Sequence, residues 1–140
     1  MLLFDTTTNQ WSVVPDTCFP TTDAPFYMLL PDWVDGHWVD SATPQHIAMH
    51  ALDAIANDRW VEETGGVTVS GIQIKTDDRS QFKLAMAVMQ AQSNPAYIVQ
   101  WKAANGWVML DATTIFYISS VVQQFVTGCY VKEAQLTALS

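Results

Sequence analysis

Positive charge is scarce in this 140-residue chain, which has 6 Lys and Arg against 14 Asp and Glu and a net charge of −8 at pH 7. An acidic chain repels phosphate backbones and anionic membrane surfaces, so generic binding to nucleic acid or to a membrane is not expected. No apolar run reaches the roughly 18 residues needed to cross a bilayer. Residues 1–5 lack the basic region and the long apolar stretch of a secretory signal peptide.

Cysteine is also scarce, since Cys18 and Cys129 are the two in the chain. Two cysteines are too few for a disulfide framework, and a bridge between them is not expected in a reducing cytoplasm. Cys129 falls on an apolar stripe far in sequence from every histidine, which favours a buried residue over a nucleophile. No Gly-x-Ser-x-Gly motif or phosphate-binding glycine loop occurs. We therefore predict no catalytic residue and no cofactor.

The first 42 residues differ in character from the rest of the chain. Short β-like runs at residues 1–5 and 11–14 flank a polar stretch and predict a small hairpin. Four prolines then follow at spacings of five or six residues, which no helix or central strand tolerates: Pro15, Pro20, Pro25 and Pro31. Residues 1–42 are therefore predicted to form an extended β-rich arm, with residues 26–30 as its candidate edge strand.

Two tryptophans flank a tight turn at the end of this arm. Asp35-Gly36 is a favoured type I′ turn pair, so Trp33 and Trp38 are predicted to form a cross-strand pair that presents both rings on one face. Large aromatic side chains on extended segments are typical of partner interfaces or of sugar-binding platforms. Fold-back of the arm, which would bury the rings, is the alternative. We predict Trp11, Trp33, Asp35 and Trp38 as partner-binding residues.

Residues 43–140 alternate helical and hairpin patterns. The three predicted helices have apolar faces at spacings of three and four: Ile47, Ala51, Leu52 and Ile55; Phe82, Ala85, Met86 and Met89; Ile115, Ile118, Val122, Phe125 and Cys129. Two hairpins lie between them, at 67–69 with 72–74 and at 97–101 with 107–110, so that Trp101 and Trp107 pack across strands. The pattern predicts an α+β domain in which three helices pack mainly on one face of an antiparallel sheet built from the two hairpins.

Two polar groups have both a chemical and a structural interpretation. His46, His50 and Asp53 lie near one another on the first predicted helix and could hold a metal ion. The residue after His46 is an isoleucine where a metalloprotease needs a glutamate, so a polar helix face is favoured and no metal site is predicted. Asp77 and Asp78 could act as paired carboxylates, but adjacent residues diverge on a regular element. Capping of the second helix by Thr76, Asp77 or Asp78 is expected instead.

A loose pattern of residues from Arg59 onward is similar to a known domain family. It comprises Arg59, Glu63, Gly65-Gly66-Val67, Gly71-Ile72, Ile74, Thr76-Asp77, Ser80-Gln81, Trp101-Lys102, Asn105-Gly106, Leu110-Asp111-Ala112, Cys129, Glu133 and Leu136. This pattern resembles an uncharacterised domain carried at the C-terminus of tail-fibre and tail-fibre-assembly proteins of tailed bacteriophages. The resemblance implies a phage setting in the host cytoplasm, and it implies no chemistry.

The sequence thus favours a non-enzymatic protein of tail-fibre assembly, acting as a chaperone or remaining associated with the fibre. Its partner would be a tail-fibre chain or another virion protein, and self-association is left open. The expected location is the bacterial host cytoplasm during assembly, with retention in the virion tail as a variant. The alternatives are a structural component of the tail, baseplate or capsid surface, and a carbohydrate-binding or hydrolytic module.

Overall fold

A computed structural model describes residues 2–5, 10–13 and 23–140, the first two stretches as backbone. Its helices are α1 (Pro44–Thr64), α2 (Asp78–Ser93) and α3 (Ala112–Leu139). Its strands pair in chain order as four antiparallel hairpins: β1 (Leu2–Asp5) with β2 (Gln10–Val13), β3 (Pro31–Val34) with β4 (His37–Asp40), β5 (Val67–Val69) with β6 (Ile72–Ile74), and β7 (Ile98–Ala103) with β8 (Gly106–Asp111). The predicted α+β class is confirmed.

The chain divides into two compact units, Met1–His50 and Ala51–Ser140. This division falls inside α1, whereas the predicted boundary between residues 42 and 43 lies just before the first residue of that helix. An arm of residues 1–42 and a domain of residues 43–140 therefore stay a prediction. In the described part of the chain, no helix combines the length and apolar character that a membrane span requires.

Residues 26–30 do not form the predicted edge strand. The Met28 N–H donates to the Pro25 carbonyl oxygen at 3.1 Å, which closes a turn. The N–H groups of Leu29 and Leu30 donate to the carboxylate of Asp40 at 3.0 and 3.1 Å. The prediction of a strand is wrong because a side chain takes up the backbone donors that a strand would offer to a neighbour.

Helix α1 begins with reciprocal hydrogen bonds between Thr43 and His46. The Thr43 hydroxyl oxygen accepts from the His46 N–H at 3.3 Å, and His46 Nδ1 accepts from the Thr43 N–H at 3.2 Å. The arrangement has the form of a capping box in which histidine replaces the usual Glu or Gln. Thr43 therefore serves as the N-cap of α1.

The predicted core face of α1 is wrong. Ile47, Ala51 and Leu52 are exposed, and Ile55 is half-buried. The buried residue of this helix is Glu63, in its last turn. Apolar spacing alone places residues on one side of a helix, but burial needs another element against that side.

The core of the second unit forms around α3. Ile115 and Ile118 are almost completely buried, as the predicted stripe of α3 requires, and so is Leu110 of β8. Val122 and Cys129 extend the same stripe, and α3 continues through Gly128 to Leu139 without interruption.

The face that α2 buries differs from the predicted one. Its buried residues are Leu84, Ala87 and Ala91, spaced by three and four. Alanines let the backbone of α2 approach α3 closely, whereas the larger side chains of the predicted face would hold the helices apart. Phe82, Ala85, Met86 and Met89 consequently lie exposed.

The two hairpins of the second unit form separate two-stranded sheets rather than one sheet. They are joined end to end, because the Ala104 N–H donates to the Gln73 carbonyl oxygen at 2.9 Å. The Asn105 side chain adds two bonds, donating to the Gly71 carbonyl oxygen at 3.1 Å and accepting from the Gln73 N–H at 3.2 Å. A turn side chain therefore makes the connection that strand pairing was expected to make.

A buried hydroxyl ties the end of α1 to the start of α2. Thr76 is fully buried, donates to the Glu63 carbonyl oxygen and accepts from the Gly66 N–H at 2.9 Å. Gln81 donates to the Thr76 carbonyl oxygen at 2.6 Å and to Glu63 Oε1 at 3.4 Å. Among the described residues, no buried side-chain polar atom lacks a partner.

Replacing the Thr76 hydroxyl by a methyl group should destabilise the protein. Thr76→Val leaves the Glu63 carbonyl and the Gly66 N–H without their partner, and we expect a loss of about 1–3 kcal/mol in the free energy of unfolding. Thr68→Val on β5 is the matched control, because Thr68 is exposed and a valine suits a strand. Urea unfolding followed by circular dichroism measures both, and equal stability of the two variants would contradict the assigned role.

The turn of the last hairpin should depend on glycine. Gly106 has φ +137°, a conformation that L side chains rarely adopt, although no other atom lies within 4 Å of an added Cβ. Gly106→Val should therefore lower the free energy of unfolding by about 1–3 kcal/mol through backbone strain. Gly128→Ala in α3 also meets open space and should raise stability by roughly 0.5–1 kcal/mol. A change below about 0.5 kcal/mol for Gly106→Val would show that the turn does not need this conformation.

Candidate interaction surfaces

The β3–β4 ribbon has the geometry that the sequence predicts. Trp33 pairs with Trp38 and Val34 with His37, and the two turn residues have positive φ. The Trp33 and Trp38 rings are half-buried and meet edge to face at 5.3 Å with an interplanar angle of 75°. Asp35 lies exposed at the turn, so three of the four predicted partner-binding residues share one short ribbon.

The fourth predicted residue, Trp11, is described only as backbone. It lies in β2, where it pairs with Phe4 of β1, and its side chain is outside the described part of the structure. Cys18 also lies outside the described residues. The assignment of Trp11 and of the ribbon to partner binding stays a prediction.

Asp40, the last residue of the ribbon, is the centre of a group of hydrogen bonds. Its carboxylate accepts from the backbone N–H groups of Leu29, Leu30 and Ala42, the last at 3.0 Å. These three donors hold the pKa of Asp40 below its usual value because they stabilise the charged form. The segment that precedes the ribbon is therefore fastened to the ribbon's last strand.

Charged side chains of α1 and α3 meet in one polar cluster of the second unit. Arg59 Nη1 binds the carboxylate of Glu63, and Arg59 Nε donates to Glu133 Oε2 at 2.7 Å. The guanidinium also lies over the Tyr130 ring at 4.5 Å from its centroid. One arginine thus forms ion pairs with two carboxylates and links α1 to α3. Because both carboxylates are ion-paired, the cluster has the character of a structural link.

Cys129 and His46, which were considered as candidate chemical groups, lie in environments that explain them as structural residues. Burial raises the pKa of the Cys129 thiol, and the nearby charges of Glu62 and Glu63 raise it further, which keeps the sulfur protonated. His46 is engaged in the cap of α1. Among the described residues, no cluster of His, Cys, Asp and Glu side chains could hold a metal ion. Cys129 is a free, buried thiol.

A groove of about 850 Å³ opens between α2 and β7 in the second unit. The α2 side of this groove is a stripe at spacings of three and four, formed by Arg79, Lys83, Met86 and Gln90. The β7 side comprises the consecutive residues Val99, Gln100, Trp101 and Lys102. We call this feature the α2–β7 groove. Lys75, Tyr97 and Trp107 also border it.

The α2–β7 groove gathers most of the chain's positive charge. The cations that do not border it, Arg59 and Lys132, are ion-paired to glutamates. The cations that border it are without an ion pair within the described residues: Lys75, Arg79, Lys83 and Lys102. Lys102 Nζ lies 5.6 Å from the centre of the exposed Trp107 ring. The groove is therefore a basic and aromatic surface on an otherwise acidic protein.

Sequence reasoning missed this groove, although the sequence contains a signal for it. The first 58 residues have eight aspartates and no lysine or arginine, so all six cations lie in the remainder. Arg79 and Lys83 are four residues apart, which places them on one side of α2, and Lys75 lies just before that helix. Trp101 and Trp107 were expected to pack across strands, but Trp101 is half-buried and lies opposite Val108, whereas Trp107 is 65% exposed and lies opposite Lys102.

The described residues thus form an α+β fold with two candidate surfaces, the β3–β4 ribbon and the α2–β7 groove. The chain belongs to a family described as a domain of unknown function (DUF4376), whose model matches residues 32–139. This match includes the β3–β4 ribbon from its second residue and the whole of the α2–β7 groove. Neither a curated protein nor a solved structure matches the chain.

Acid should weaken the start of α3 through Asp111. This carboxylate caps the helix by accepting from the Thr114 N–H at 2.8 Å, and bonds from the Thr114 side chain and backbone lower its pKa below 3.8. A carboxyl whose folded pKa is lowered stabilises the fold above its unfolded pKa and loses that effect as pH falls through the folded pKa. The melting temperature should therefore drop below about pH 4.

Asp111→Asn tests this assignment because asparagine also caps helices but does not titrate. The variant should keep most of its stability at pH 7 and show a flatter decline of melting temperature between pH 5 and about 2.5. Asp53→Asn, at an exposed position of α1, is the control and should leave the pH profile as it is in the parent protein. Identical acid profiles for Asp111→Asn and the parent would contradict the role of this carboxylate.

Proposed function

We propose that this protein is a non-enzymatic interaction protein of tailed bacteriophages that acts in tail-fibre assembly, as a chaperone or as a part that stays with the fibre. The phage setting is supported by the likeness of its sequence, from Arg59 to Leu136, to the C-terminal domain of tail-fibre-assembly proteins. On this proposal it works in the cytoplasm of the bacterial host, and its partner is a tail-fibre chain or another virion protein.

The observation that carries the proposal is the apolar surface of α1. Ile47 and Leu52 belong to a face with core-like spacing. Ile47 nevertheless exposes 57% of its surface to solvent, and Leu52 exposes 41%. Trp60 and Val61 lie exposed nearer the end of the same helix. Apolar side chains that the chain itself leaves uncovered are typical of a surface that another chain covers. An assembly protein would use such a surface to shield a fibre chain before its subunits associate.

The carboxylates support a structural rather than a catalytic role. Asp77 and Asp111 cap α2 and α3, and hydrogen bonds from Ser80 and Thr114 lower their pKa values. Asp40 likewise has a lowered pKa because of its three backbone donors. A general acid at neutral pH needs a raised pKa, so these three groups are poorly suited to proton transfer.

The β3–β4 ribbon is the proposed contact of the first unit with the partner. Trp33 and Trp38 form one aromatic pair beside the exposed Asp35, and Trp11 is proposed to contribute from β2. Tryptophans at the centre of an interface often dominate binding energy, while a nearby carboxylate favours a basic rim on the partner. The ribbon and α1 are therefore proposed as two separate surfaces for the partner.

Co-purification with the tail-fibre chain of the same phage tests the proposal. Ile47→Ser with Leu52→Ser, and separately Trp33→Ala with Trp38→Ala, should each weaken capture by tenfold or more, since a truncated interface tryptophan costs about 2 kcal/mol or more. Phe82→Ser is the matched control, because Phe82 is 67% exposed on another helix. Undiminished capture by both double variants would contradict the proposal.

Melting temperatures of the same variants separate binding from folding. Ile47 and Leu52 are exposed, so the double serine variant should melt within a few degrees of the parent. A tryptophan variant that loses stability but keeps its partner would identify the pair as core residues of the ribbon. Mass spectrometry of purified phage particles then distinguishes a chaperone, which is absent from them, from a structural tail component, which is present.

A further inference from the structure

We infer that the α2–β7 groove binds an extended acidic peptide segment of a protein partner, which adds as a strand along the outer edge of β7. This inference does not depend on the tail-fibre setting or on the contacts of the ribbon and α1. It concerns a different surface, and it identifies the chemistry of what that surface binds.

The edge of β7 that borders the groove is open. The Ala103–Gly106 pair flanks a two-residue loop, and such a pair exchanges both backbone hydrogen bonds. The bonding then alternates along the strand, so Ile98, Gln100 and Lys102 direct their N–H and C=O groups away from β8. Among the described residues, no group bonds to the backbone of these three on that side.

The adjacent hairpin covers only the end of this edge. The Gln73 carbonyl accepts from the Ala104 N–H, and β6 pairs no further along β7. From Lys102 to Val99 the strand lines the groove, whose opposite wall is α2. An open edge is a template for an added strand, because each outward N–H and C=O can bond to the backbone of an incoming peptide.

The charges around the groove select an acidic peptide. Four cations line the groove, Lys75, Arg79, Lys83 and Lys102, against one carboxylate, Asp77, which is engaged as the cap of α2. The described residues provide no ion-pair partner for any of these four cations. Carboxylates on the incoming strand would supply such partners and would strengthen the pairing beyond its backbone bonds.

The apolar part of the groove accommodates the side chains between the carboxylates. Met86 extends from α2, and Val99, Trp101 and Tyr97 line the other wall. In an extended peptide alternate side chains point to opposite faces, so acidic and apolar residues in alternation match these walls. Single-stranded nucleic acid is the other extended anion that basic and aromatic grooves bind. It is less favoured, because it cannot pair with a strand edge and the protein carries a net charge of −8.

Isothermal titration calorimetry with an unlabelled decapeptide of alternating Glu and Val tests the inference on the full chain. We expect saturable binding that weakens as NaCl rises from 50 to 300 mM, and no binding of the alternating Lys and Val decapeptide. Arg79→Gln with Lys83→Gln should weaken binding at least about tenfold, since it removes two charge-assisted contacts. Lys132→Gln also removes a cation, but one paired with Glu62, and should change affinity less than twofold.

Amide hydrogen exchange followed by NMR tests the mode of binding. The Gln100 and Lys102 amides should exchange at least about tenfold more slowly when the acidic peptide is bound, because new backbone bonds protect them. Binding that leaves these amides unprotected would overturn strand addition, and absence of binding would overturn the whole inference. Tighter binding of a dT10 oligonucleotide than of the acidic peptide would assign the groove to nucleic acid instead. A dimer that the peptide dissociates would assign it to a second copy of this chain.

Discussion

The hydroxyl of Thr76 is the interaction on which the arrangement of the second unit most depends. It joins the last turn of α1 to the residue just before β5 by bonding to the Glu63 carbonyl and the Gly66 N–H. The next residue, Asp77, caps α2, so the direction of that helix follows from where Thr76 is held. Since α2 forms one wall of the α2–β7 groove, a single buried side chain connects the packing of the helices to the surface where we infer binding.

The second unit uses its charged residues in two different ways. Arg59 forms ion pairs with Glu63 and Glu133 and stacks on Tyr130. These contacts within the fold link α1 to α3. Arg79 and Lys83 occupy an exposed stripe of α2 beside an open strand edge, so their charge is directed outward.

Apolar residues are likewise divided between the core and the surface in a way that periodicity does not reveal. In α3, the stripe predicted from spacing is the buried one, because β5, β8 and α2 all pack against it. In α2, small residues form the buried face because they allow close approach to α3, and larger residues such as Met86 remain for the groove. In α1, the spaced apolar residues Ile47, Ala51 and Leu52 remain exposed.

The sequence by itself determined the α+β class, the order of elements after residue 43, the Asp35-Gly36 turn with its tryptophan pair, and the stripe of α3. These features depend on local rules, namely turn chemistry, capping and the period of apolar residues, which act between neighbours in the chain. Tertiary structure decided which face of α2 is buried, the joining of two hairpins through Asn105, and the gathering of Lys75, Arg79, Lys83 and Lys102 around one groove. Each of these depends on which elements pack together, and residues far apart in sequence meet only after that packing is set.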